Sequence, residues 1–346
     1  MSIRQSPSEL CAEVGGRASH LTMFWLALAV MVVVCGCESG SDHAAGAGND
    51  KPLVVCTTTM IEDMAREVGG DRVRVIGIMP PGTDPHIYEP RPDDSLLMEK
   101  ASLILYNGLH LEGRMVAMFE RAGTKAVALA EDPRIKLRDS ETNQGAPDPH
   151  CWWNPRYFMI YTERARDALI KMDPSGEVGY RERSERYLAA LSELDGQIRG
   201  AVERIPPERR YLITSHDAFY YYGSAYGLTV DAVLGVSTEA SVRALRIDEL
   251  ARAVVQREIP AVFHETSVSA SLNEMVDRVV EQAVRQGHQV VIPRTPLYSD
   301  SLDKPGTPAG TYLGALRENT RIIVSALAGE DVSGLLKPKG AGSDDR

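Results

Sequence analysis

Two short stretches of this sequence place the same three residue types in the same order. Gly82-Thr83-Asp84-Pro85-His86-Ile87-Tyr88 is echoed by Ala146-Pro147-Asp148-Pro149-His150-Cys151-Trp152. At the chain's own frequencies of Asp, Pro and His, the tripeptide Asp-Pro-His is expected about 0.03 times by chance, so two copies are a signal. Proline fixes φ and pushes the preceding Asp into an extended shape, which presents each imidazole on a stiff backbone. The aspartates Asp84 and Asp148 are candidates to accept a bond from the ring N–H and set the tautomer. A third candidate, His216, lies in Thr214-Ser215-His216-Asp217, just before the aromatic run Phe219-Tyr220-Tyr221-Tyr222. A fourth, Asp300, closes Leu297-Tyr298-Ser299-Asp300. Three imidazoles and one carboxylate are a typical N/O set for Zn²⁺; Mn²⁺ accepts it if the carboxylate binds through both oxygens or water joins. Cys151 follows His150 directly and, in extended backbone, points away from it.

The other histidines compete less well. His20 and His43 fall in the N-terminal segments, His288 in the turn Gln286-Gly287-His288-Gln289, and His110 in a loop after Asn107-Gly108-Leu109, at the surface or behind a ligand. Glu265, next to His264, is expected to make a structural hydrogen bond, with orientation of a ligand histidine as the alternative. His264 itself has no account at this level.

The elements that must position these groups alternate. Buried-strand runs at 52–56, 73–79, 103–106 and 126–129 are separated by helical patterns at 60–68, 93–100 and 115–122. The second half repeats the theme, with strands at 210–214, 261–264 and 290–292 and helices at 218–226, 245–256, 272–286 and 311–327. Such alternation predicts an α/β fold with mostly parallel sheets. Ligands of open α/β sheets bind beyond the carboxyl ends of strands, which places two candidates on each half, facing a cleft. Between the halves, Tyr180, Tyr187, Leu191, Leu194, Ile198 and Val202 form one helical stripe. A helix over 176–205 would run roughly 45 Å, enough to touch two lobes; the spacing alone fits a surface helix of one lobe equally well.

The chain has 346 residues, 43% hydrophobic and 25% charged, which suggests two domains and excludes collagen, coiled coil and wholesale disorder. Net charge is −10 and no basic run exceeds two residues, so nucleic acid is not an expected partner. Residues 21–34 form an apolar run too short to span a bilayer comfortably, preceded by Arg4 and Arg17, as in a secretory signal. Cys35-Gly36-Cys37 then resembles a bacterial lipobox, with Cys37 as the lipidated first mature residue; a retained transmembrane anchor is the alternative. The expected organisation is a signal peptide over 1–36, a flexible tether over 37–50, an N-terminal α/β lobe over 51–175, the linking helix over 176–205, a C-terminal α/β lobe over 206–328 and a disordered tail over 329–346. No disulfide framework is expected of Cys56 and Cys151.

These residues resemble the metal-binding lipoproteins of bacterial ABC importers for zinc and manganese, the cluster A-I solute-binding proteins. The resemblance runs over roughly 51–328. It is carried by Thr57-Thr58-Thr59-Met60, both Asp-Pro-His loops, Asn107-Gly108-Leu109-His110-Leu111-Glu112, Thr214-Ser215-His216-Asp217-Ala218-Phe219, Gly235-Val236-Ser237-Thr238, Tyr298-Ser299-Asp300 and Gly306-Thr307-Pro308-Ala309-Gly310-Thr311-Tyr312. It implies two α/β lobes joined by one long rigid helix, with one divalent ion held in the cleft by His86, His150, His216 and Asp300. It also implies a lipid-anchored, extracytoplasmic monomer that delivers its ion to a permease with a cytoplasmic ATPase. No G-x-x-x-x-G-K-[ST] motif is present, in keeping with a partner that supplies the ATP site. The His-rich loop of many zinc-specific members is absent between Glu131 and Pro149, and His264 stands where the family is usually apolar. A secreted zinc hydrolase, with Asp300 as general base beside three histidines and a water, is the rival reading. A metal-stabilised adhesin lipoprotein is a third.

Overall fold

A computed structural model describes residues 51–337, apart from 141–142, 144, 240 and 242–243. The expected signal peptide, Cys37, the tether and the last residues from 338 lie outside the described residues. No described helix is long and apolar enough to cross a membrane.

The first half is built on a four-stranded parallel sheet. Its strands are β1 (Leu53–Cys56), β2 (Arg74–Gly77), β3 (Leu103–Tyr106) and β4 (Ala126–Ala128), in the order β2-β1-β3-β4. Val54 pairs with Val75 on one side and with Leu103 on the other, so β1 is central and buried along its whole length. Successive side chains of a strand point to opposite faces. Val54 and Cys56 accordingly join the core under helices α1 (Thr59–Gly69) and α4 (Pro155–Met172), while Leu53 and Val55 join the core formed by α2 (Pro92–Lys100) and α3 (Val116–Ala122). Sequence reading leaves α4 unassigned. Its start signal is nonetheless present: Asn154 accepts the Arg156 N–H at 3.0 Å, with Pro155 at the first helical position.

The second half centres on β5 (Tyr211–Thr214), paired in parallel with β6 (Thr229–Ala232). The strand predicted over 261–264 lies beside β5, with the Phe263 N–H donating to the Ile213 carbonyl at 2.9 Å. It and the segment 291–297 are joined only by single bridges, Ala261 to Val291 and Glu265 to Leu297. Pro260, Pro293 and Pro296 carry no N–H, which interrupts a continuous ladder there. Helices α6 (Tyr220–Tyr226), α7 (Ala244–Gln256), α8 (Ala270–Arg285) and α9 (Tyr312–Ala328) complete this half. β6 is the other element absent from the sequence reading: Thr229-Val230-Asp231-Ala232 is short and half polar.

The long helix is α5 (Glu177–Val202), 26 residues and about 39 Å at 1.5 Å per residue. Tyr180, Tyr187, Leu191, Leu194, Ile198 and Val202 are all buried, as the stripe predicts. α5 packs against α1 and α4 of the first half and against α6 and α9 of the second, so it touches elements of both halves. Within the expected tail, the described residues 329–337 include packed ones. Val332 and Leu336 are buried, Ser333–Leu336 makes a 3-10 turn, and Gln197 donates to the Lys337 carbonyl at 2.8 Å.

Candidate metal centre

His86 follows β2, His150 lies in the loop between β4 and α4, His216 follows β5, and Asp300 follows the bridged segment at 297. These are the carboxyl ends that the topology rule selects. The two Asp-Pro-His loops fold alike: the His86 N–H donates to Asp84 Oδ1 at 2.9 Å and the His150 N–H to Asp148 Oδ1 at 3.0 Å. Each aspartate therefore clamps the backbone two residues on, in the local turn that Asx side chains favour.

The ring contacts then differ. Asp148 Oδ1 also takes the Nδ1–H of His150 at 2.8 Å. Asp84 does not orient the His86 ring. Its second oxygen accepts the Thr238 hydroxyl at 2.7 Å, so it ties the first loop to a loop from the other half of the chain. Glu265 takes the orienting role instead, accepting the His216 Nδ1–H at 2.6 Å. With Nδ1 of His150 and His216 committed to carboxylates, Nε2 is the atom of each ring that faces the centre and turns a lone pair to an ion once its proton is lost.

The four groups converge. His150 Nε2 lies 3.2 Å from His86 Nε2 and 3.3 Å from His216 Nε2. Asp300 Oδ1 is 3.4 Å from His150 Nε2, and Oδ2 is 3.1 Å from His216 Nε2 and 3.9 Å from His86 Nε2. One donor atom from each lies within 4.8 Å of every other. A tetrahedron with bonds of ~2.0–2.1 Å has edges of about 3.3–3.4 Å, so the spacing fits a divalent ion of zinc or manganese size. Asp300 offers one oxygen to His150 and the other to His216, which leaves room for two-oxygen binding and a coordination number of five. All four side chains are buried. Neither Asp300 oxygen finds a well-formed hydrogen bond among the described residues, a costly arrangement for a buried carboxylate unless a cation satisfies it.

The electrostatics are those of a charged cluster out of water. Burial, reinforced by its histidine neighbours, pulls His86 down to about 3. Burial also opposes charge on His150, but Asp148 and Asp300 outweigh it and hold this imidazole up to about 9. His216 is raised well above its ordinary value because Glu265 and Asp300 overcome its burial. Asp300 is held well below the usual carboxylate range by His216 and His150, against burial. Asp84 is pushed up to about 6 by burial and by the Asp300 charge.

Behind these groups lies a supporting layer that sequence reading misses. Trp152 and Trp153 both donate their indole N–H to the Ser299 carbonyl, at 3.2 and 2.8 Å, joining the His150 loop to the residue before Asp300. The Ser267 hydroxyl receives the Asp300 N–H at 2.9 Å. The remaining sequence candidates fall outside the cluster. Cys56 and Cys151 are free and buried, and the Cys151 thiol turns to the Asp148 carbonyl at 3.9 Å. His288 bonds the Ile259 carbonyl at 2.8 Å. His264 pairs with Asp277 at 3.1 Å, which gives this unexpected residue a partner on α8. His110 lines a cavity of about 180 Å³ beside His86.

The family described as zinc-uptake complex component A, periplasmic (ZnuA), matches residues 54–326. Zinc-binding protein TroA of Treponema pallidum (strain Nichols) is 36% identical over 307 residues, covering 86% of this chain and 97% of its own. The solved structure of periplasmic zinc binding protein TroA from Treponema pallidum superposes with a TM-score of 0.76 over 80% of this chain and 99% of that one. Manganese-binding lipoprotein MntA of Bacillus subtilis (strain 168) is 35% identical, covering 84% of this chain and 94% of its own. The structure of Fe(III)-bound YtgA from Chlamydia trachomatis matches at 25% identity and a TM-score of 0.73, over 80% and 98% of the two chains.

Proposed function

The chain belongs to the zinc-uptake complex component A family of periplasmic proteins, and from that membership we propose that it captures one divalent transition-metal ion, zinc or manganese, outside the cytoplasmic membrane and delivers it to an ABC importer. The ion is cargo. His86, His150 and His216 hold it through Nε2, and Asp300 through one or both oxygens. Asp148 and Glu265 fix the rings of His150 and His216, while Asp84 fixes the backbone of the His86 loop. The observation that carries this reading is the buried convergence of three imidazoles on a carboxylate that lacks well-formed hydrogen bonds.

The organisation follows. The signal over 1–36 is removed, Cys37 carries lipid, and the tether over 37–50 holds the protein at the outer face of the membrane. Lobes over 51–175 and 206–328 close on the ion, with the helix over 176–205 as a stiff link that limits motion to small lobe shifts. The loaded monomer docks on a permease whose cytoplasmic ATPase drives uptake. Asp300 faces the same centre as the three histidines, as a fourth ligand of a closed site does, whereas catalytic zinc keeps an open position. That favours carriage over hydrolysis. The relatives are named for binding zinc or manganese and the family for zinc uptake, which lends the hydrolase and adhesin readings no support.

Metal analysis of the protein taken from its native membrane, joined to uptake of zinc and manganese by a strain lacking it, tests the reading. One equivalent of either metal and a selective uptake defect are expected. Metal-free protein with normal uptake would end it. Zinc outcompetes manganese at most N/O sites in vitro, so the native metal content identifies the cargo.

A further inference from the structure

Arg138 sits outside the metal cluster, yet it reaches the flanking residues of two of its histidines. One guanidinium nitrogen, Nη2, lies 2.6 Å from Asp148 Oδ2 and 2.8 Å from Asp217 Oδ2. Asp148 is the residue that grips His150 by backbone and ring. Asp217 directly follows His216 in sequence. The same guanidinium lies 4.0 Å over the Tyr220 ring, at the start of α6. The backbone joins in: the Arg138 N–H donates to the Tyr221 hydroxyl at 3.0 Å, and the Asp148 N–H to the Arg138 carbonyl at 2.8 Å.

Resting on the metal-carrier reading above, we infer that Arg138 is a positioning residue that clasps the His150 and His216 loops together and thereby slows release of the ion. The two loops come from opposite halves of the chain. Without the cation between them, Asp148 and Asp217 would face each other as like charges, and the loops would separate. The geometry suits arginine in particular. One nitrogen of its planar group meets both carboxylates while the face of that plane stacks on an aromatic ring, a stacking that a lysine ammonium does not provide. The side chain is about a quarter exposed and Asp148 is fully buried, so solvent screens this pair less than a surface bridge. Other bridges differ in kind. Arg72–Asp173, for example, joins the turn after α1 to the residue that ends α4 and touches no residue of the metal cluster.

The test compares the full chain with R138Q, R138K, D217N and R72Q. Zinc affinity is read by competition with a chromophoric chelator, zinc release by stopped flow, and ligand geometry by the visible bands of the Co²⁺ form. R138Q and D217N are each expected to weaken zinc binding 10–100-fold, mostly through faster release, and to alter the Co²⁺ bands. The double variant R138Q/D217N should lose little more than R138Q, since both act through one bridge. R138K should fall between parent and R138Q, and R72Q should keep parental affinity and spectrum. D217N decides the matter if R138Q does not fold. Release rates and Co²⁺ spectra within twofold of the parent for D217N and for any folded R138Q overturn the clasp while leaving the carrier reading intact. A parent chain that binds neither zinc nor Co²⁺ overturns the carrier reading itself, and the clasp with it.

Discussion

Glu265 holds His216 at two points: Oε1 accepts the backbone N–H at 2.7 Å and Oε2 accepts from ring Nδ1 at 2.6 Å. Glu265 is in turn fixed by Asn273, whose side chain bonds the Glu265 N–H at 3.1 Å and its carbonyl at 2.9 Å. A carboxylate so placed sets the tautomer and makes Nε2 a better donor to a metal. Replacing Glu265 by Gln removes the charge while keeping the size. Zinc affinity should fall about 10–100-fold, the usual cost of losing such a partner, and calorimetric titration measures it. Unchanged affinity would mean that His216 is oriented by other contacts.

The same charges set the pH dependence. In the metal-free protein His150 holds its proton up to about 9, and His216 is raised as well, whereas His86 is already neutral down to about 3. A metal needs neutral imidazole, so binding at pH 7 must expel protons from His150 and His216. Affinity should therefore rise with pH, by up to tenfold per pH unit for each proton released, with the contribution of His150 spent above about 9. The metal-free fold behaves oppositely. A raised histidine stabilises it fully below the unfolded value of about 6.5 and loses that contribution as pH rises toward 9. Thermal melts with and without zinc from pH 6 to 9 should show the metal-free Tm falling while the zinc-induced increment grows. A constant increment would contradict the assigned imidazoles.

Metal removal gives a direct measure of coupling to the fold. A ligand at 1,000 times its Kd stabilises by about 4 kcal/mol, and each kcal/mol shifts Tm by roughly 2–4 °C in a chain of this size class. Treatment with a strong chelator should lower Tm by about 8–16 °C, reversed by one equivalent of Zn²⁺. A chelator-insensitive Tm in protein shown to carry metal would place the ion away from this buried cluster.

Much of this arrangement was legible in the residues, for a physical reason. Apolar runs such as Leu103–Tyr106 and the α5 stripe report burial directly, because a strand or helix face excluded from water must be apolar along its own period. The Asp-Pro-His loops were legible because proline and aspartate act on the next few residues of the chain. What escaped depends on contacts distant in sequence. Glu265 is a candidate from its sequence, but its partner His216 lies 49 positions away, and Trp153 meets Ser299 across 146. Asp84 misled for the same reason: its partner is Thr238, 154 positions away, not its own histidine ring. The segments at 261 and 291 read as strands by composition, but prolines thin their ladders to single bridges.

The tandem indoles provide an optical reporter. Trp152 lies 5.1 Å from the His150 ring, centroid to centroid, and both indoles bond the carbonyl before Asp300. Of the chain's three tryptophans the other, Trp25, falls in the expected signal peptide. Zinc should shift the intrinsic emission, and paramagnetic Mn²⁺ should quench it, each saturating at one equivalent. Trp152→Phe should remove most of the response while retaining metal binding. A response that persists in that variant would assign the reporting role to Trp153.

The sharpest discrimination lies between two histidines of one chain. His150 is fully buried, 3.2 and 3.3 Å from two other imidazole nitrogens, with a carboxylate behind its ring. His288 sits after α8, bonds only a backbone carbonyl among its described hydrogen bonds and faces no other candidate ligand. His150→Ala removes one of four donors, while Arg138 remains to neutralise Asp148, so the fold should survive. Zinc affinity should drop at least about 100-fold, beyond the loss expected for an orienting partner. His288→Ala should keep parental affinity and cost about 1 kcal/mol of stability for the lost bond to Ile259. Titration and thermal melts of both variants measure the two effects side by side. Equal losses of affinity would show that zinc stability reflects the fold at large, and the four-residue cluster would then lose its claim to the ion.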